Sequence, residues 1–211
     1  ASRTRGWRSA LEGLAVVRSN RILAGAISLD LFAVLFGGAV ALLPVIAETR
    51  LGVGATGLGW LRAAAGIGAA VVALVVTARP LRRRIGRALF LSVAVFGAAT
   101  VCLGLTTDYV VAFVALLVLG GADSVSVFIR ATLVPLASPE HVRGRVAAVE
   151  NVFIGASNEL GAFQSGVVGQ LLGAPAAIVA GGLAAIAVAG IWFRRFPELA
   201  RLDRFPKPHG S

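Results

Sequence analysis

Cysteine and tyrosine each occur once in this chain, histidine twice, and only 14% of its 211 residues are charged. A single cysteine, Cys102, allows no disulfide framework and leaves no metal-ligand spacing. Inside an apolar run it is expected to be a small packing residue. His141 and His209 both fall in polar connections, where a histidine is solvated rather than catalytic. Also missing are a Gly-rich phosphate loop with its lysine, a nucleophile elbow and a zinc-binding helix motif. No ATPase or other enzyme is therefore expected, and no metal or cofactor. Acids are half as numerous as bases, 10 against 20, for a net charge of +10. That excess would suit a nucleic acid only if the bases formed one patch interleaved with exposed aromatics. They fall instead between apolar runs.

What the chain has in quantity is apolar surface: 57% of residues are hydrophobic and the mean hydropathy is +0.87. Soluble domains are about 25% charged, so the composition predicts an all-α, polytopic membrane protein. At about 20 residues per span, the chain holds six transmembrane helices and no sizeable soluble domain. Six apolar runs have the required length: 22–47, 57–77, 88–106, 110–135, 147–172 and 176–193. Glycine within them permits close helix approach, and Gly66 with Gly68 and Gly169 with Gly173 are expected at packing sites. The expected organisation is a basic lead-in over 1–21, a six-helix bundle over 22–193 and a basic tail over 194–211. The lead-in carries Arg3, Arg5, Arg8, Arg18 and Arg21, and it places Trp7, Leu11 and Leu14 on one helical side. It either lies on a membrane surface with that stripe down or is a partly ordered tail. No basic start with a short apolar core and a small-residue cleavage site is present, so insertion is expected to rely on the spans.

The connections set an orientation. The lead-in, residues 79–87, Arg143 with Arg145, and the tail hold 17 of the 20 basic residues and all lie on one side. The turns of the other side hold only Arg50; Arg62 and Arg130 fall within spans. The positive-inside rule places both termini in the cytoplasm, consistent with an even number of spans. The first three runs and the last three are similar in length, and Asp30 and Asp123 each fall in the opening helix of a triplet. A triplet is odd in number, so the second enters the membrane from the opposite side, the pattern of an inverted repeat.

Charge inside an apolar run has to be explained, because it costs roughly 2.5 to 3.5 kcal/mol at the centre of a membrane helix. Counting 1.5 Å per residue from the cytoplasmic ends, Asp30 lies roughly 12 Å deep and Asp123 and Glu159 roughly 18 Å deep. Desolvation disfavours the charged form of such carboxylates, so they can load and release a proton or attract a cation. The alternative is that they only bind Asn158, Gln164, Ser124 or Ser126 and hold helices together. Arg130 and Glu150, at roughly 8 and 5 Å, match in depth and predict a structural or gating ion pair. Asn151, Asn158 and Ser165 recur every seven residues on one face, either as a polar path or as helix-to-helix hydrogen bonds. Arg62 matches none of the acids.

Three stretches carry a resemblance: Ser9-Ala10-Leu11-Glu12-Gly13-Leu14, the arginine-rich turn 79–87, and Pro139-Glu140-His141-Val142-Arg143-Gly144-Arg145-Val146 leading into Glu159-Leu160-Gly161. With these the chain resembles the C-terminal six helices of a major facilitator superfamily transporter, most closely the branch with the enterobactin exporter and related multidrug exporters. The arginine turn is similar to the signature loop between the second and third helices of each half, but residues 78–83 offer no aspartate where that signature has one. The resemblance implies alternating access around a central site, with Asp30 and Asp123 on cavity-lining helices. It also implies a second six-helix half, either the N-terminal half of the same protein or a second copy, and a bacterial cytoplasmic membrane. Taken together, the expectation is half of a secondary active transporter, coupled to protons and exporting small organic molecules such as siderophores or drugs. The rival is a six-helix scaffold or partner subunit that transports nothing.

Overall fold

A computed structural model of the chain describes residues 12–206. Within the lead-in, Arg3, Arg5, Trp7, Arg8 and Leu11 lie outside the described residues, as do Lys207 and His209 in the tail. Residues 12–19 are helical. There follow α1 (Arg21–Phe36), a 3-10 turn (Gly38–Leu42), α2 (Leu43–Thr49), α3 (Ala55–Ala78), α4 (Ile85–Leu105) and α5 (Tyr109–Ala137). A 3-10 turn (Glu140–Val142) leads to α6 (Arg143–Leu172), α7 (Ala174–Arg195) and the short α8 (Pro197–Ala200). No strand occurs among the described residues.

Local chemistry sets the helix ends. The Asn20 side chain accepts from the Ile22 and Leu23 amides, and its own amide donates to the Ala137 carbonyl at 3.3 Å. One residue thus caps α1 and ties it to the end of α5. Asp108 caps α5 by accepting from the Val111 amide at 2.9 Å. On the arginine-poor side Arg50 donates to the carbonyls of Gly104 and Leu105, supplying cationic donors where the end of α4 leaves carbonyls unpaired.

The first run, expected as one span, is broken. Gly37 and Gly38 weaken helix propensity, and Pro44 cannot donate the bond that would carry a helix through this point. The broken segment packs against α6 at very short range. A Cβ on Gly38 would fall 2.6 Å from the Ser165 hydroxyl, and one on Gly161 would fall 2.9 Å from the Leu35 carbonyl. Either would force the two backbones apart.

Five segments are long and apolar enough to cross a membrane: Arg21–Thr49 with its break, α3, α4, α5 and α7. Helix α6 has 30 residues, about 45 Å at 1.5 Å each, but Glu150, Asn151, Asn158, Glu159 and Gln164 make it too polar for that set.

Packing follows a regular exchange. Helix α3 packs on α5 and α6 packs on α1, while α4 and α7 pack on each other; α4 also backs α5, and α7 backs α1. The main core lies among α1, α4, α5 and α7, with Leu29, Leu89, Ile129 and Leu133 fully buried. Buried hydroxyls are satisfied locally: Ser92, Thr100 and Ser157 each donate to a carbonyl three or four residues back, the usual solution for a hydroxyl in an apolar helix.

The expected glycine packing holds in part. A Cβ on Gly68 would overlap the Leu117 carbonyl, but Gly66 faces open space. Gly169 sits against Leu42, whereas Gly173 takes φ +84 and makes the turn between α6 and α7, a backbone region suited to glycine. Cys102 is exposed rather than packed; it lies on an apolar groove with Val95 and Val114.

Candidate functional site

Seven residues, close to two helical turns, separate Asp123 from Arg130 on α5, and the same interval separates Asn151 from Asn158 on α6. The interval puts each pair on one face, and both faces turn toward the cleft between α5 and α6, which α1 backs. Two cavities occupy that cleft. One of about 380 Å³ is bounded by Asp30, Asp123, Arg130, Glu150, Asn151 and Asn158. The other, about 360 Å³, lies between Gly38, Ala65, Gly120, Asp123 and Asn158. Each falls in the size range of small-molecule sites, about 300 to 1,000 Å³. Asp123 and Asn158 line both, so they stand where the two spaces meet. Asp123 also borders a small crevice with Asp30, Ser92 and Ser126.

At the inner wall, Arg130 holds two carboxylates. Its Nη2 lies 2.7 Å from Asp30 Oδ1 and its Nη1 lies 3.6 Å from Glu150 Oε1. The depth-matched partner Glu150 is present, but the shorter contact is to Asp30, which depth alone left apart from Arg130. The long stem of arginine bridges the difference. Arg130 Nε has no hydrogen-bond partner among the described residues. A buried donor left so costs about 1 to 3 kcal/mol.

Asp123 has no ion-pair or hydrogen-bond partner among the described residues and is only partly buried. The Asn158 amide donates to the Ile154 carbonyl at 3.0 Å, so it does not engage Asp123. Ser126, an expected partner, is buried nearby but makes no recorded bond to it. Glu159 is exposed on α6 and lines neither cavity, so the two deep acids of the sequence are not brought together. Ser165 stands against the 3-10 turn at Gly38, beyond the cavities. Arg62 is exposed on α3.

Around the 380 Å³ cavity, three carboxylates face one guanidinium. Fully ionised, the group carries two uncompensated negative charges, a costly state away from bulk water. Adding a proton or a bound cation lowers that cost. Among the described residues, no group of three or more His, Cys, Asp or Glu side chains has an arrangement that could hold a metal ion.

Two further contributors left little trace in the sequence. Val34 and Gly38 line the cleft from the broken segment of α1, and only the Gly-Gly pair before Pro44 marked that break.

The model of a protein family described as transmembrane secretion effector matches residues 8–209 of the chain. Neither a curated protein nor a solved structure matches it.

Proposed function

Because the chain belongs to the transmembrane secretion effector family, a transporter family of the major facilitator type, we propose that it forms half of a proton-coupled exporter of small organic molecules. In this reading α6 is the sixth span. Its polar face, with Glu150, Asn151 and Asn158, points into the cleft, so its low apolarity reflects a water-filled wall and not a failure to cross. The packing exchange supports an inverted repeat in part: α1, α3, α4 correspond to α5, α6, α7 in that α3–α5 matches α1–α6 and α4–α5 matches α1–α7, although the contact of α6 with α7 has no equal between α3 and α4. The lead-in, bundle and tail divide as 1–21, 22–193 and 194–211. Arginines gathered at one end of the bundle favour cytoplasmic termini in a bacterial inner membrane.

The observation that carries the reading is Asp123, an unpaired carboxylate on the shared wall of the two cavities. Asp30, held by Arg130, serves with Glu150 as the frame that positions the cleft, and Asp123 takes and releases the proton. Glu159 lies on the outward face of α6, where a second half would cover it. The same partner would close the cleft, which is open in this chain alone. Alternating access then means that two halves rock about it.

The test is proton movement in proteoliposomes holding the native gene product. Adding a fluorescent, drug-like organic cation should alkalinise or acidify the lumen in step with dye movement. Dye movement with no proton signal, or none at all across a panel of drug-like and siderophore-like compounds, removes the coupling.

A further inference from the structure

The segment after α7 turns back under the bundle instead of leaving it. The Gly86 amide donates to the Leu202 carbonyl at 2.9 Å, and the Arg84 amide donates to Asp203 Oδ1 at 3.1 Å. A Cβ on Gly86 would overlap the Leu199 carbonyl, so glycine lets the start of α4 rest directly on the tail backbone. Arg84 reaches this position with φ +57, a left-handed conformation that a non-glycine residue adopts only when its surroundings hold it there. Between the start of α4 and the tail lies a cavity of about 250 Å³ lined by Arg84, Arg87, Arg201 and Asp203.

One acid, Asp203, faces three arginines around this cavity. All 10 of its Asp and Glu residues are among the described ones. Asp203 accepts the Arg84 amide and lies 3.8 Å from Arg204, while Glu198 pairs with Arg21 at 3.2 Å. Neither Arg84, Arg87 nor Arg201 has an ion-pair partner among the described residues. Arg84, Arg87 and Arg201 are exposed, and with Asp203 they leave the cavity a surplus of positive charge that attracts an anion; the forked donors of arginine fit phosphate oxygens. Height in the membrane favours a lipid as the source. The cavity lies where α4 begins and α7 ends, and the same ends carry Phe90, Trp192, Phe193 and Phe196, with the Phe90 and Phe193 rings edge to face at 5.4 Å. Aromatic rings collect at the headgroup level.

We propose that this cavity binds the phosphate group of an anionic lipid, which fastens the tail to the start of α4. The inference depends on membrane embedding and stands whether or not the chain carries protons.

Native gene product in detergent, titrated with phosphatidylglycerol and followed by native mass spectrometry and thermal unfolding, tests it. Phosphatidylglycerol should be retained and raise the Tm, and phosphatidylcholine should do neither. R87Q/R201Q should weaken retention about tenfold or more, since each basic residue near a lipid surface contributes about 1 kcal/mol. R82Q/R83Q, which removes equal charge from arginines outside the cavity, should leave retention intact. R87K/R201K keeps the charge and the fold but loses the planar fork, and should fall between them. Equal loss in R82Q/R83Q and R87Q/R201Q, or equal effect of the two lipids, overturns the site. Stabilisation by inorganic phosphate alone, matching that of phosphatidylglycerol, overturns a lipid as the source.

Discussion

Arg130 and Asp30 meet at 2.7 Å inside the bundle, each only 5% exposed. A buried ion pair contributes little against an apolar replacement, but removing one member strands the other and costs about 3 to 5 kcal/mol. Arg130→Gln, which leaves both Asp30 and Glu150 without a cation, should therefore destabilise the protein by that order, and Asp30→Asn with Arg130→Gln should cost less than the two single changes added together. Unfolding midpoints of the four proteins give the cycle. Additive effects would mean that the pair does not hold α1 to α5.

Helices α3 and α5 touch backbone to backbone: a Cβ on Gly120 would overlap the Ala65 carbonyl. Gly120→Val should force them apart, at about 1 to 3 kcal/mol for an overpacked contact, with lower yield of folded protein. Gly66→Val, on the open side of α3, should be neutral for folding. Similar losses at the two positions would contradict the packing described.

Water should reach the cleft. In a Cys102→Ala background, single cysteines replacing Asn151 and Asn158 should react with a membrane-impermeant thiol reagent, whereas one replacing Ser157, 3% exposed, should stay protected. Protection at all three positions would favour a scaffold whose polar faces are sealed in helix contacts.

The outward face of α6 is open at Gly155, where a Cβ would meet nothing within 4 Å, and Leu160 and Phe163 are exposed beside it. Exposed apolar side chains at this density mark a lipid or protein contact. Gly155→Trp should leave the unfolding midpoint within about 0.5 kcal/mol of the native value and yet reduce transport if a second half seats there. Full transport by this variant would place the partner elsewhere.

Five of the six expected spans were legible because about 20 apolar residues in a row admit few readings other than a membrane helix. Length and hydropathy could not show the break at Gly38–Leu42, since a 3-10 turn keeps the same apolar composition as the helices it joins. Depth along a helix located the acids and Arg130 but not their partners. It matched Arg130 with Glu150, yet the helix rotation that brings Asp30 closer is set by α1 packing on α6 and α7, which no single run records. Glu159 shows the same limit: its depth agrees with Asp123, while its direction on α6 points away from the cavities. The clasp between Gly86 and Leu202 was not legible at all, because backbone-to-backbone bonds leave no pattern of side chains.

Asp123→Asn tests the central assignment most directly. The native gene product and this variant would be reconstituted side by side, and dye transport measured twice, once driven by an imposed pH gradient and once as exchange with no gradient. Asp123 has no partner to strand, so the variant should fold and insert as the native protein does. It should lose gradient-driven transport and retain exchange, which needs no net proton release. Gradient-driven transport at the native rate would contradict proton coupling through Asp123.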